Sequence, residues 1–122
     1  MPTLLRTLDS IRIFTRDLDR SRHFYGGVLE LDERDAASDY AIYRLGDINI
    51  VIEAVSAEED EISALVGRLV AASFKVDDVT TAYGQLRSRG ASFVQPPERQ
   101  SRGGTLAFLH DPDGNILTLV GD

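Results

Sequence analysis

Residues Thr105–Val120, with the sequence T-L-A-F-L-H-D-P-D-G-N-I-L-T-L-V, predict a β-hairpin. Two apolar runs flank the turn at 111–114, where proline has the φ that the second turn position needs and Gly114 accepts a left-handed conformation. If Asp111 faces Asn115, the cross-strand pairs are Phe108 with Thr118, His110 with Ile116, and Leu109 with Leu117. One face of the hairpin is therefore aliphatic, and the other has the mixed character of a site lining.

Bulk composition excludes several classes of protein. At 122 residues the chain is expected to be one domain, and the absence of cysteine excludes disulfides, thiolate metal sites and a cysteine nucleophile. The net charge of -7 disfavours nucleic acid as a partner. No apolar run approaches a membrane span, and residues 1–4 do not begin a signal peptide, so a cytoplasmic protein is predicted.

The chain starts with a predicted strand and helix. Ser10–Thr15 is rich in β-branched and aromatic residues, as strands are, and Asp17 suits the N-cap of the helix that follows. His23 falls on the side of that helix that faces solvent. The residues at helical spacing on the opposite, buried side are Leu18, Ser21, Arg22, Tyr25, Val28 and Leu29.

A second hairpin is predicted after the polar residues 32–39. Strands Tyr40–Leu45 and Ile48–Val55 are joined by Gly46-Asp47, and glycine in the first central position suits a tight two-residue turn. In that register the cross-strand pairs are Ile42 with Val51 and Tyr40 with Glu53, with Tyr43 and Ile50 on the reverse face.

The same pattern then restarts. Residues 56–68 lack clear periodicity and predict a linker with room for one helical turn. Val70–Val76 predicts a strand, Asp77 or Asp78 an N-cap, and Gly90 the end of a helix. The apolar stripe of this helix is Val79, Ala82, Tyr83 and Leu86.

A short strand and a loop complete the second half before the Thr105–Val120 hairpin. Ala91–Gln95 predicts the strand, Pro96-Pro97 breaks it, and residues 98–104 predict a polar loop.

The chain therefore contains two predicted copies of one β-α-β-β-β unit. Module 1 covers about residues 8–55 and module 2 about 69–122, and residues 14–17 correspond to 74–77. The predicted class is α+β, a single domain over residues 1–122. Because each helix covers only one face of its sheet, the other faces must meet each other, a partner chain or a ligand. A cleft between the modules is the expected result.

Four segments in this order resemble the vicinal oxygen chelate superfamily, which includes glyoxalase I, bleomycin-resistance proteins and extradiol dioxygenases. They are D-L-D-R-S-R-H-F-Y-G-G-V-L-E-L at 17–31, V-D-D-V at 76–79, R-S-R-G at 87–90 and F-L-H-D-P-D-G-N at 108–115. The resemblance implies two modules forming an open, barrel-like cleft and a homodimer. It does not specify the reaction, because one fold supports many activities.

Metal-using members of this superfamily hold a divalent ion with one side chain from each of four strands. The resemblance places those positions at Ser10, Glu53, Ala71 and Thr118. Only Glu53 is a competent ligand, whereas Zn²⁺, Mn²⁺ or Fe²⁺ requires about three or four protein donors and water. No cofactor is therefore predicted, and a divalent metal ion is the alternative.

Glu53 is the candidate catalytic residue, as an acid or base or as a contact to a ligand. The alternative is a structural ion pair with Arg12, which strand alternation places on the same face. Lys75 either meets an anionic ligand group or reaches solvent, and Arg102 either contacts an anionic ligand or belongs to a polar loop. His110 is predicted near the cleft rim as a possible ligand contact.

The predicted ligand-binding residues are Arg12, Phe14, Tyr40, Ile42, Val51, Glu53, Ser73, Lys75, Arg102, Phe108 and Thr118. The apolar members of this set give the wall of a small-molecule pocket, with ordinary core as the competing interpretation.

These residues lead to three alternative functions and to a fourth case in which the cleft binds nothing. The leading hypothesis is a metal-independent protein that binds a small organic molecule in an apolar cleft edged by Arg12, Glu53 and Lys75. The first alternative is a divalent-metal-dependent lyase, isomerase or dioxygenase, and the second is a metal-free enzyme that uses Glu53 as acid or base. A vestigial or regulatory domain with an empty cleft is the remaining case. A homodimer is expected, with no nucleic acid or membrane partner.

Overall fold

The computed structural model describes residues 4–5, 7–56, 63–101 and 103–122. Module 1 contains β1 (Ser10–Thr15), α1 (Leu18–Arg22), a π-helical segment (His23–Val28), β2 (Asp32–Ala36), β3 (Tyr40–Leu45) and β4 (Ile48–Ala54). Module 2 contains β5 (Leu69–Lys75), α2 (Val79–Ser88), β6 (Ser92–Phe93), β7 (Glu98–Arg99), β8 (Thr105–His110) and β9 (Ile116–Gly121). Among the residues described, no helix has both the length and the apolar character needed to cross a bilayer.

Each module forms one open sheet, which confirms the predicted α+β class. The strand order is β1-β4-β3-β2 in module 1 and β5-β9-β8-β6 in module 2, where β7 also pairs with β8. In both sheets the first strand is parallel to the last strand of its module, and the remaining pairs are antiparallel. Described strands form no closed barrel, so a cleft is left between the modules.

Both predicted hairpin registers are confirmed. Tyr40 pairs with Glu53 and Ile42 with Val51 in the first hairpin, and Phe108 pairs with Thr118 in the second. The backbone N–H of Asp111 donates to the carbonyl of Asn115 at 2.9 Å, and Gly114 has φ 83°. The turn chemistry therefore determined which side chains share a face.

Three short strands differ from the sequence predictions. Residues 32–39, read only as a polar stretch, contain β2, and the predicted loop at 98–104 begins with β7. The strand predicted over Ala91–Gln95 is reduced to β6. β2 was not predicted from the sequence because it is a charged edge strand. Its first four residues are exposed, so it lacks the alternation of apolar residues that indicates a strand.

The first helix also differs from the prediction, because its second half is π-helical. The N–H of Leu29 donates to the carbonyl of Phe24 at 2.9 Å, an i→i+5 bond that widens the turn. The wider turn buries Phe24, which the 3.6-residue stripe omitted, beside Tyr25. Asp17 caps α1 as predicted, and Asp78 rather than Asp77 caps α2, accepting from the N–H of Thr81 at 3.0 Å.

The hydrophobic core lies between each sheet and its helix. In module 1 it consists of Ile13, Phe24, Tyr25, Ala41, Tyr43, Ile50 and Ile52. In module 2 it consists of Val79, Leu86, Ala107, Leu109, Leu117 and Leu119. The alternate residues of the same strands are partly buried or exposed, apart from Thr118 in β9, which is buried.

A buried polar cluster joins the two modules at the β8–β9 turn. The Asp111 carboxylate accepts from the Tyr25 hydroxyl at 2.7 Å and from Asn115 Nδ2 at 2.9 Å. Its other oxygen accepts the backbone N–H groups of Asp113 and Asn115, each at 2.9 Å. Burial is the largest cause of the raised pKa of Tyr25, followed by its Asp111 neighbour. This cluster is hereafter the Asp111 network, comprising Thr15, Ser21, Tyr25, Asp111, Asp113 and Asn115.

The rest of the network fixes the end of β1. The Asp113 carboxylate accepts from the hydroxyl of Thr15 and, at 2.9 Å, from the backbone N–H of Arg16. Asn115 Nδ2 donates to the carbonyl of Phe14 at 3.0 Å, while Asn115 Oδ1 accepts from the N–H of Gly67 at 2.7 Å. The C-terminal end of β1 is thus held beside the residues that lead into β5, which positions the space between these two strands.

Candidate small-molecule site

The largest cavity found in the described part of the chain, about 590 Å³, lies between β1 and β5. It is hereafter the β1–β5 cavity. Its lining residues are Leu8, Ile11, Arg12, Ile13, Phe14, Ile48, Leu65, Arg68, Leu69, Val70, Ala71, Ala72, Ser73 and Asn115. Side chains from both alternating sets of each strand contribute, because the cavity lies at the facing edges of the two sheets. Of the predicted site residues, the structure brings Arg12, Phe14 and Ser73 together here.

The wall of this cavity is predominantly apolar. The polar lining residues are Arg12, Arg68, Ser73 and Asn115. Asn115 is only 1% exposed and its amide is used in holding the modules together, so it forms a fixed wall. An apolar wall with a few polar groups is the usual make-up of a small-molecule pocket.

β5 is irregular where it borders the cavity. Leu69 pairs with Ile116 and Ser73 with Thr118, so four residues of β5 span two of β9. Such bulges redirect side chains and occur often beside sites. The irregularity includes Ala71 but does not change the alternation of side chains along β5. Leu69, Ala71 and Ser73 are exposed, and the residues between them are partly buried.

A smaller hollow of about 270 Å³ lies on the open face of β3 and β4. The predicted residues Tyr40, Ile42, Val51 and Glu53 line it, together with Asp39 and Ala54. The phenol of Tyr40 donates to Asp35 at 3.0 Å. The sequence predicted a single cleft lined by the ligand-binding residues, whereas in the structure several of these residues line two separate hollows.

The ion pair of Arg12 and Glu53 connects these two hollows. Arg12 Nε and Nη2 each lie 2.8 Å from one oxygen of the Glu53 carboxylate. The hydrogen bond from Arg12 and its positive charge hold the pKa of Glu53 below the ordinary value, against the opposing effect of burial. The guanidinium carbon also lies 5.4 Å from the centre of the Phe14 ring. The pairing predicted as the alternative to catalysis is therefore present.

The remaining predicted residues lie elsewhere. Phe108 and Thr118 form one row with Ser73 across β8, β9 and β5, but neither lines the β1–β5 cavity. Lys75 is exposed and lines a separate apolar groove of about 230 Å³ beside Phe74. Arg102 lies outside the described residues.

His23 and His110 lie far apart in the sequence but line the same hollow. His23, exposed as predicted, and His110, half-buried, both line a third hollow of about 330 Å³ with Arg20 and Arg89. Neither lines the β1–β5 cavity.

Comparison with known families identifies the chain. The model of the Glyoxalase/Bleomycin resistance protein/Dioxygenase superfamily matches residues 7–119. The chain belongs to this superfamily. A comparison with curated proteins gives no significant match.

Several solved structures share the fold of this chain. UcmS2 superposes with a TM-score of 0.85 at 21% identity, covering 98% of this chain and 100% of that one. A superfamily member from Sphaerobacter thermophilus gives 0.82 at 23% identity, with 98% and 100% coverage. The structure named lactoylglutathione lyase from Agrobacterium tumefaciens gives 0.78 at 15% identity, with 98% and 96% coverage. At these identities the similarity establishes the architecture and not the activity.

The four positions that the resemblance assigns to metal ligands offer few donors in this chain. Ser10 and Thr118 offer hydroxyls, Ala71 offers no donor, and the Glu53 carboxylate is already bonded through both oxygens to Arg12. Within the described ranges, no three histidine, aspartate or glutamate side chains are grouped to hold an ion. This donor set does not fit the three or four good ligands that such cations need.

Sequence reasoning missed several residues of the β1–β5 cavity, including Arg68, Leu65 and Leu8. All three lie just outside the predicted strands, so alternation along a strand could not assign them. The available signal was weaker: Arg68 lies at the end of the predicted linker, two residues before the predicted strand Val70–Val76.

Proposed function

We propose that this protein binds a small organic molecule in the β1–β5 cavity without using a metal ion. The observation that carries the proposal is a cavity of about 590 Å³, bordered by both modules, whose wall is apolar apart from four residues. A volume of this size is typical of small-molecule sites. The absence of a fitting donor set at Ser10, Glu53, Ala71 and Thr118 supports the metal-independent part.

The test fills the cavity and compares binding with a matched control. Ala71 is exposed and lines the cavity, whereas Ala37 is exposed and does not. A fragment library is screened against metal-stripped protein by ¹H–¹⁵N NMR, with Ala71→Phe and Ala37→Phe screened in parallel. We expect fragments that shift resonances of β1 and β5 in the unmodified protein and in Ala37→Phe, with at least about tenfold weaker binding to Ala71→Phe.

Two results would contradict this proposal. Equal binding by Ala71→Phe and the unmodified protein would move the site elsewhere. Binding that is absent from the metal-stripped protein and appears on addition of Zn²⁺, Mn²⁺ or Fe²⁺ would support the metal-dependent lyase, isomerase or dioxygenase alternative.

The metal-free catalytic alternative has less support from the geometry. A general base works best with a pKa near the operating pH, and Arg12 shifts the pKa of Glu53 in the other direction. If Glu53 were nevertheless the base, Glu53→Gln would abolish turnover of an identified substrate and leave its binding intact.

The homodimer remains part of the proposal. Leu8 is 63% exposed and Leu69 is 59% exposed, and both line the β1–β5 cavity. Exposed leucines at the mouth of a site favour burial against a second copy. Light scattering coupled to gel filtration should give a dimer at micromolar concentrations, and a monomer at all concentrations would refute it. The cytoplasmic location also remains a prediction.

A further inference from the structure

We infer that the molecule bound in the β1–β5 cavity carries an anionic group, a carboxylate or a phosphate, which Arg68 binds. This inference rests on the proposed function and specifies its ligand class. It also assigns a specificity-determining role to a residue that the sequence did not single out.

The charged residues on the described cavity wall are all positive. Among the described lining residues are two arginines, Arg12 and Arg68, and no aspartate or glutamate. The protein as a whole has a net charge of -7, so a positively charged wall is a local departure from the average. Arg68 is exposed to solvent, so its guanidinium is accessible to a ligand that enters the cavity.

The two arginines differ in how their charges are compensated. Arg12 makes a bidentate ion pair with Glu53 through Nε and Nη2. Arg68 donates from Nε to the carbonyl of Ala64 at 3.1 Å and makes no ion pair with any residue in the described ranges. The carbonyl bond orients the side chain but does not neutralise it. Among the described residues, Arg68 is therefore the wall arginine without a counter-ion.

The guanidinium chemistry selects the ligand group. Its planar array of N–H donors matches the oxygens of carboxylates and phosphates and binds them bidentately. The backbone of Arg68 is fixed, since its N–H donates to Asn115 Oδ1 at 3.2 Å and its carbonyl accepts from the N–H of Ile116 at 2.8 Å. Apolar residues make up most of the remaining wall, so the rest of the ligand would be an apolar body.

The experiment uses matched sets of fragments that differ only in charge. Each set places a carboxylic acid, a phosphonic acid, a primary amide and an amine on the same aliphatic or aromatic skeleton. Binding is followed by the ¹H–¹⁵N resonances of β1 and β5. We expect the acids to bind at least about tenfold more tightly than their amides, and the amines more weakly than either. The ratio between carboxylate and phosphonate decides which oxyanion the site prefers.

Arg68→Gln identifies the residue responsible, and Arg99→Gln is the control because Arg99 is exposed and does not line the cavity. Arg68→Gln should remove the advantage of the acids over the amides while leaving amide affinity within about twofold, and Arg99→Gln should change neither. Arg68→Lys should keep part of the preference. Thermal unfolding of each variant confirms that it is folded.

The outcomes separate this inference from the proposal beneath it. If amides or amines bind at β1 and β5 as tightly as the acids, or if Arg68→Gln keeps the acid preference, the anion inference is wrong and the small-molecule site stands. If no fragment of any charge shifts these resonances, both fail.

Discussion

The Asp111 network and the β1–β5 cavity lie side by side, share Asn115 and use their polar groups in opposite ways. In the network, each carboxylate oxygen of Asp111 has two donors, and in the described part of the chain no buried side-chain N or O lacks a partner. On the cavity wall, the guanidinium of Arg68 has a carbonyl partner and no counter-ion among described residues. Buried and satisfied polar groups hold a fold together, whereas a partly satisfied group beside a cavity is available to a ligand.

Removing the network acceptor should produce the largest effect. Asp111→Ala leaves the Tyr25 hydroxyl and the Asn115 amide without their acceptor in a buried position, at about 1–3 kcal/mol for each orphaned group. We expect the free energy of unfolding to fall by about 3–5 kcal/mol, measured by urea denaturation. The control is Asp32→Ala, which removes an exposed carboxylate paired with Arg34 and should change stability by less than about 1 kcal/mol. Equal losses in the two variants would break the comparison.

Deleting one donor of the network should have a smaller effect. Tyr25→Phe keeps the buried ring, which packs edge-on against Phe24 at 5.1 Å, and removes only the hydroxyl that bonds Asp111. We expect stability at pH 7 to fall by about 1–2 kcal/mol, because the other three donors to Asp111 remain. Ligand affinity at the cavity should not change, and an altered affinity would show that the two regions are coupled.

Alkaline pH tests the same hydroxyl without a mutation. Burial raises the pKa of Tyr25 well above 10.0, so the unfolded state loses this proton at a lower pH than the folded state. The stability conferred by the protonated phenol is therefore complete below about pH 10 and decreases above it, by about 1.4 kcal/mol per pH unit for one group. Tyr43 adds to the slope, because burial raises its pKa to about 12. Tyr25→Phe should show a shallower decline, and parallel declines would contradict this assignment.

Sequence patterns predicted those features that depend on neighbours along the chain. The D-P-D-G-N turn determined the pairing of Phe108 with Thr118, and strand alternation placed Arg12 and Glu53 on one face, where they form an ion pair. The charged strand β2 was missed because an edge strand needs no apolar residues. Its identity depends on pairing with β3, which no local pattern reports.

The site was predicted only in part, because a cavity between modules depends on how the modules meet. The sequence predicted the D-P-D-G-N turn, but it did not predict that the carboxylates of this turn bond Tyr25 and Thr15, more than 80 residues earlier in the chain. Arg68 and Ser73 line the β1–β5 cavity, whereas Glu53 lines the separate hollow on β3 and β4. Residues whose role depends on such packing cannot be found from periodicity alone.

The ion pair of Arg12 with Glu53 should contribute less to stability than the Asp111 network does. This difference would show that the cavity wall and the network have separate energetic roles. Arg12 is 59% and Glu53 30% exposed, so solvent screens the pair, and Glu53→Gln should lower stability at pH 7 by less than about 1 kcal/mol. Because the folded-state pKa of Glu53 is lowered, the contribution is present above the unfolded pKa of about 4.3 and is lost as pH falls through the folded value. The difference between Glu53→Gln and the unmodified protein should therefore shrink below about pH 4 in urea denaturation. A loss at pH 7 as large as that of Asp111→Ala would place this pair among the groups that hold the fold, and the cavity wall would then no longer be energetically separate from the network.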